Sequence, residues 1–121
     1  MKNLEQVRAR NALSFSNSGA IRGDDGGEVI KKIPPLIMNN GLLATAAFSF
    51  GDKKEGWQKT FDAIACHLAD PDVAIVPEDT TDRSKLMNFL TGSAADSETL
   101  KLATNETMAW LGYARRFVKK D

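Results

Sequence analysis

Most of this chain alternates apolar and polar positions at helical spacing, and one stretch abandons polar positions almost entirely. From Ile33 to Phe50, IPPLIMNNGLLATAAFSF, 18 residues pass without a charge in a chain that is 26% charged. Leaving a Leu, Ile, Phe or Met in water forfeits about 1.5–3 kcal/mol of burial each, so this stretch is predicted to lie inside. It has the length of a membrane span, but Asn39, Asn40 and Gly41 sit at its centre. Two amides at that depth are costly, and the Asn-Gly step reads as a helix stop. The pattern predicts a buried helical corner: a short helix over Pro35 to Asn39, a turn at Asn40-Gly41, and a helix from Leu42 to Phe50.

Periodic segments flank this corner. Residues 3–16 form a first helix, capped by Asn3, with Leu4, Val7, Asn11 and Phe15 near one side. The run Gly23-Asp24-Asp25-Gly26-Gly27 reads as a loop whose aspartates cap a helix starting near Gly27 to Val29. It lacks the Gly-Lys-Ser/Thr step of a phosphate loop. Glu28 and Lys32 have the spacing of a helical ion pair, and Pro34 is expected to kink this helix. Beyond the connector at residues 51–56, Trp57, Phe61, Ile64, Ala65 and Leu68 make an apolar stripe that Asp70-Pro71 ends. Val73 to Val76 has no partner strand and reads as an extended linker. Thr81 or Asp82 caps a helix through Leu86 and Leu90, ended by Gly92. Asp96 or Ser97 starts the last and longest helix, reaching about Lys119, with Leu100, Ala103, Thr107, Trp110, Ala114 and Phe117 facing a core. The expected fold is all-α: a compact bundle of five to six helices, with a Pro-kinked helix and an Asn-Gly corner at its centre. Pro34, Gly41, Leu42, Trp57 and Trp110 are its expected core and turn positions.

Composition narrows the setting. At 121 residues the chain reads as a single helical domain, 1–121, with no net charge, so no global field marks a polyanion partner. One cysteine and no apolar leader at the N-terminus predict a soluble, cytoplasmic protein with no membrane association. The charges are unevenly placed. Residues 1–60 carry nine Lys/Arg against six Asp/Glu, and residues 61–121 carry seven against ten. Two electrically different faces suit stacking on further copies or lining a nucleic-acid strand.

Residue types with chemistry are few. Cys66 and His67 are adjacent, so on a helix they diverge by about 100° and make neither a dyad nor a shared metal site. With one His and one Cys in the chain, a zinc site has too few ligands. Cys66 reads as a small, half-buried apolar residue and His67 as a surface residue near Asp70. No catalytic constellation, metal site or cofactor site is expected, and the chain is not expected to be an enzyme.

Four segments, in order, carry a family resemblance. They are Arg8-Ala9-Arg10 with Ala12-Leu13; Lys32-Ile33-Pro34 leading to Asn40-Gly41-Leu42; the aromatic helix from Trp57 to Leu68; and Thr104 to Leu111 followed by Arg115-Arg116-Phe117. Together they resemble the small helical subunit of the type III-B CRISPR effector, the Cmr complex. The resemblance implies a non-catalytic subunit of an RNA-guided complex for antiviral defence. Several copies would stack beside the backbone subunits holding the guide crRNA, against the large polymerase-like subunit, and help hold target RNA by phosphate contacts. The small subunit of a type III-A or type I complex, or a free-standing helical adaptor, remain alternatives. Neighbouring effector genes would discriminate among them.

Where RNA would lie is read from unpaired cations. Arg8 and Arg10 have no acid four residues away on their own helix, and Lys53 and Lys54 sit in a connector. Arg115 flanks the stripe of the last helix and could grip a phosphate bidentately. These five residues are the expected RNA-facing set. Lys119 and Lys120 are explained by the helix end alone.

Overall fold

The structure, a computed structural model, describes residues 3–17, 23–51 and 55–117, with the backbone alone described over 23–28. Its five helices are α1 (Leu4–Asn17), α2 (Gly23–Gly51), α3 (Glu55–Ala69), α4 (Arg83–Leu90) and α5 (Ser97–Phe117), and no strand occurs among the described residues. None of the helices described is long and apolar enough to cross a membrane.

Helix starts are set by local polar groups that satisfy otherwise orphaned N–H groups. Asn3 Oδ1 accepts from Glu5 N at 2.7 Å while Gln6 Oε1 accepts from Asn3 N at 3.2 Å, a reciprocal cap on α1. Asp82 Oδ1 accepts from Lys85 N at 2.8 Å to start α4, and Asp96 Oδ1 accepts from Thr99 N at 2.9 Å to start α5. Between α3 and α4 the chain is not the extended linker expected but a run of turns: the Val73 and Ala74 N–H groups donate to Asp70 O, Ala74 has φ 54°, and the Thr80 N–H donates to Pro77 O. The Ile75 and Val76 N–H groups both donate to Leu68 O, which pins this linker to the end of α3.

Packing follows the apolar stripes. α3 touches every other helix, and α5 lies against α1, α2 and α3. Trp57, Phe61, Ile64, Ala65 and Leu68 of α3 are buried, as are Ala103, Thr107, Trp110, Leu111 and Ala114 of α5. Phe48 of α2 meets the Trp57 ring edge-on at 5.1 Å. The far end of α2 is held by Arg83, which donates from Nη1 to Ser49 O at 2.6 Å and stacks its guanidinium over Phe50 at 4.3 Å.

The start of α2 differs from the pattern read in the sequence. The helix begins at Gly23, so the backbone of the expected Gly/Asp loop belongs to its start. Pro34 and Pro35 both lie inside it with helical backbone angles, and Pro34 is buried. Each proline removes one backbone hydrogen bond from the helix. The one non-helical residue within α2 is Gly41, at φ 87° and ψ 165°, and Leu42 beyond it is buried. That backbone region is open essentially to glycine alone. The expected pairing of Glu28 with Lys32, and the places of Lys53, Lys54, Lys119 and Lys120, lie outside the described residues and side chains.

Two glycines give opposite expectations for the same substitution. A Cβ on either Gly41 or Gly112 would meet nothing within 4 Å, so space does not distinguish them. Gly41→Ala forces a non-glycine residue to positive φ and should cost about 1–3 kcal/mol. Gly112 is helical, and Gly112→Ala should stabilise by about 0.5–1 kcal/mol. Chemical denaturation of both variants checks the pair.

Candidate functional site

The titratable groups converge between α1, α3 and α5. Arg8 of α1 grips the carboxylate of Glu106 on α5 with two charge-assisted hydrogen bonds, Nε to Oε2 and Nη2 to Oε1, each 2.7 Å. Glu106 Oε2 also meets His67 Nε2 of α3 at 2.9 Å. On the other side of the ring, Asn11 Nδ2 lies 2.9 Å from His67 Nδ1 and donates to Asp70 Oδ2 at 3.0 Å. Asp70 Oδ2 takes a further bond from Arg10 Nη2 at 2.9 Å, and Asp70 Oδ1 accepts the backbone N–H of Asp72 at 2.8 Å. One chain of contacts thus runs Arg8, Glu106, His67, Asn11, Asp70, Arg10.

This network assigns the imidazole tautomer. The Asn11 amide nitrogen can only donate, so Nδ1 accepts and the ring proton sits on Nε2, pointing at Glu106. A second proton on Nδ1 would confront that amide N–H. Burial pushes the His67 pKa below its ordinary 6.5, although Glu106 pulls the other way. For Glu106, burial alone would raise the carboxyl. The hydrogen bonds from Arg8 and His67 outweigh it and hold the group below 4.5. Asp70 is likewise lowered against its burial, by the Asp72 N–H, Asn11 and Arg10. The result is a neutral histidine beside an ionised carboxylate whose counter-ion is Arg8.

Two sequence expectations are corrected here. His67 is not on the surface: it is 2% exposed, with its ring stacked 5.9 Å from that of Trp110. Its position on α3 places it between Ile64 and Leu68 on the inward face, and polar partners from α1 and α5 make burial tolerable. Cys66 is exposed rather than half-buried, with its thiol directed to Thr81 O at 3.3 Å. Burial of the thiol itself, with Asp62 and Asp82 nearby, raises its pKa.

Of the expected RNA-facing residues, Lys53 and Lys54 lie outside the described residues, and Arg8, Arg10 and Arg115 can be placed. Arg8 and Arg10 lack acids on their own helix but find them across the fold, at Glu106 and at Asp70 with Asp72, the last at 3.7 Å. Arg115 is exposed near the end of α5. Sequence spacing missed the network because its members are 39 to 98 residues apart. The one available signal was Glu106, an acid three residues after Ala103 and one before Thr107 within an otherwise core-facing stripe. No group of three or more His, Cys, Asp or Glu suited to a metal occurs among the described residues.

Arg8→Ala should leave Glu106 buried without its counter-ion and cost about 3–5 kcal/mol, read as a lowered denaturation midpoint. The pH dependence has two stages of one sign. His67 takes up protons less readily when folded, so its contribution is complete above 6.5 and is lost as pH falls through that value towards the depressed folded one. Glu106 and Asp70 contribute fully above 4.5 and 3.8 and lose stability as pH falls through their lowered folded values. Melting temperatures across pH should therefore fall in two steps, and His67→Gln should remove the upper one.

No curated protein and no solved structure shows significant similarity to the chain. The family described as CRISPR-associated protein (Cas_Cmr5) matches residues 4–120, nearly end to end. That range takes in the Arg8 helix, the Pro34 to Leu42 centre, the Trp57 helix and the Glu106 helix, and it favours the Cmr complex over the type III-A, type I and adaptor alternatives. The chain belongs to this CRISPR-associated family and is a type III-B Cmr small subunit.

Proposed function

We propose that this subunit is a non-catalytic structural part of the RNA-guided effector. Several copies stack in a short filament beside the subunits that carry the crRNA, against the large polymerase-like subunit, and help hold target RNA for defence. Target cleavage falls to other subunits. The observation that best supports a structural role is the state of the acid–base groups. The single histidine and its carboxylate are 2% and 5% exposed and already bonded on both sides, so each is committed to joining helices. A general acid or base has to reach its substrate proton.

Arg115, which is exposed, and Lys53 and Lys54 of the connector are the leading phosphate contacts. Arg10 is partly exposed and keeps a lesser share of the RNA face, because Asp70 and Asp72 already offset its charge. Arg8, spent on Glu106, acts by positioning α1. Such contacts place the strand without reading its bases.

Reconstituted complexes carrying Arg115→Glu, or Lys53→Glu with Lys54→Glu, test this reading. Target-RNA affinity should fall, and the salt slope should shrink by about 0.7 for each phosphate that a single strand no longer has neutralised. Intact assembly with unchanged affinity and slope would remove these residues from the RNA face.

A further inference from the structure

The outward face of α5 carries a second pattern that the fold does not use. Glu98, Leu102, Asn105, Ala109, Gly112 and Arg116 follow one another at spacings of 4, 3, 4, 3 and 4, the heptad rhythm of a helix-pairing seam. They lie opposite the buried positions Ala103, Thr107, Leu111 and Ala114. Leu102 is 53% exposed, and all the others are exposed except the half-exposed Ala109. Neither Glu98 nor Arg116 forms an ion pair with another described residue.

The seam is complementary to itself when reversed. Glu98 and Arg116 stand equally far on either side of Thr107, as do Leu102 and Gly112, and Asn105 and Ala109. Two copies of α5 laid antiparallel about that midpoint bring acid against base at both ends. The same placement sets each exposed leucine against a glycine, and each asparagine against an alanine. A parallel arrangement would instead set Glu98 against Glu98 and Arg116 against Arg116, so charge selects the antiparallel one. Gly112 fits this reading. Nothing in its own chain lies within 4 Å of a Cβ there, so no internal contact requires glycine in mid-helix, whereas a leucine from a second copy needs the room. Leu4 extends the apolar area, since it lines one groove of about 670 Å³ together with Leu102, Val73 and Ile75.

We infer that two copies of the free subunit pair through the outer face of α5, antiparallel and two-fold about Thr107. Such a contact closes on itself, so it is a resting association of unassembled subunit and not the repeating contact of a filament. It stands independently of any role in holding RNA.

Sedimentation equilibrium of the full chain from micromolar to millimolar concentration tests the pairing. A monomer–dimer equilibrium is expected. Glu98→Arg alone, or Arg116→Glu alone, should weaken it about tenfold or more, because two symmetry-related pairs turn repulsive at once. The double variant Glu98→Arg with Arg116→Glu should return to within about threefold of the parent. Positions 98 and 116 are about 27 Å apart along one helix, so that recovery can come only from a second copy. Gly112→Leu should weaken pairing while leaving the monomer folded. A chain monomeric throughout, a dimer indifferent to either single reversal, a double variant that does not recover, or a series continuing beyond the dimer would each overturn the inference.

Discussion

Glu106 is a carboxylate almost out of water, on the face of α5 that builds the core. An ion in that position has to be neutralised and hydrogen-bonded, or it would take up a proton or unfold the region around it. Arg8 and His67 meet both needs, and they come from two different helices. The carboxylate therefore joins α1, α3 and α5 at one point. Its demands reach further, because His67 is held in a single tautomer by Asn11, which also anchors Asp70 at the end of α3.

Docking of α1 depends on this junction. Val7, Ala12 and Phe15 bury on the bundle, and Phe15 meets Trp110 at 5.5 Å, but the helix exposes Leu4 and Leu13 and its apolar face is narrow. Directional bonds give α1 a defined position that this apolar contact alone would specify weakly. The same network takes up two arginines that look free along the chain. Arg8 and Arg10 are paired with acids across the fold, whereas the exposed Arg115 forms no ion pair with another described residue.

Much of the architecture was legible because it rests on local periodicity. The stripes of α3 and α5 and the caps at Asn3, Asp82 and Asp96 all follow from spacing and turn chemistry within a few residues. The Gly/Asp run at 23–27 misled because each glycine costs a helix only about 1 kcal/mol, which the rest of a long helix can offset. His67 and Arg8 were illegible for a different reason: their partners are remote in sequence, and no local rule weighs an acid on another helix. Glu106 within a core stripe was the one visible trace of the network.

The central claim is that Arg8 and Glu106 act as a coupled pair within the core. A double-mutant cycle by chemical denaturation measures that coupling, using Arg8→Met, Glu106→Leu and the two together. Arg8→Met strands a buried carboxylate and should be strongly destabilising; adding Glu106→Leu should recover part of the loss, with a coupling of about 2 kcal/mol or more. Costs that simply add would show that the two side chains stabilise the fold independently, and would contradict the account.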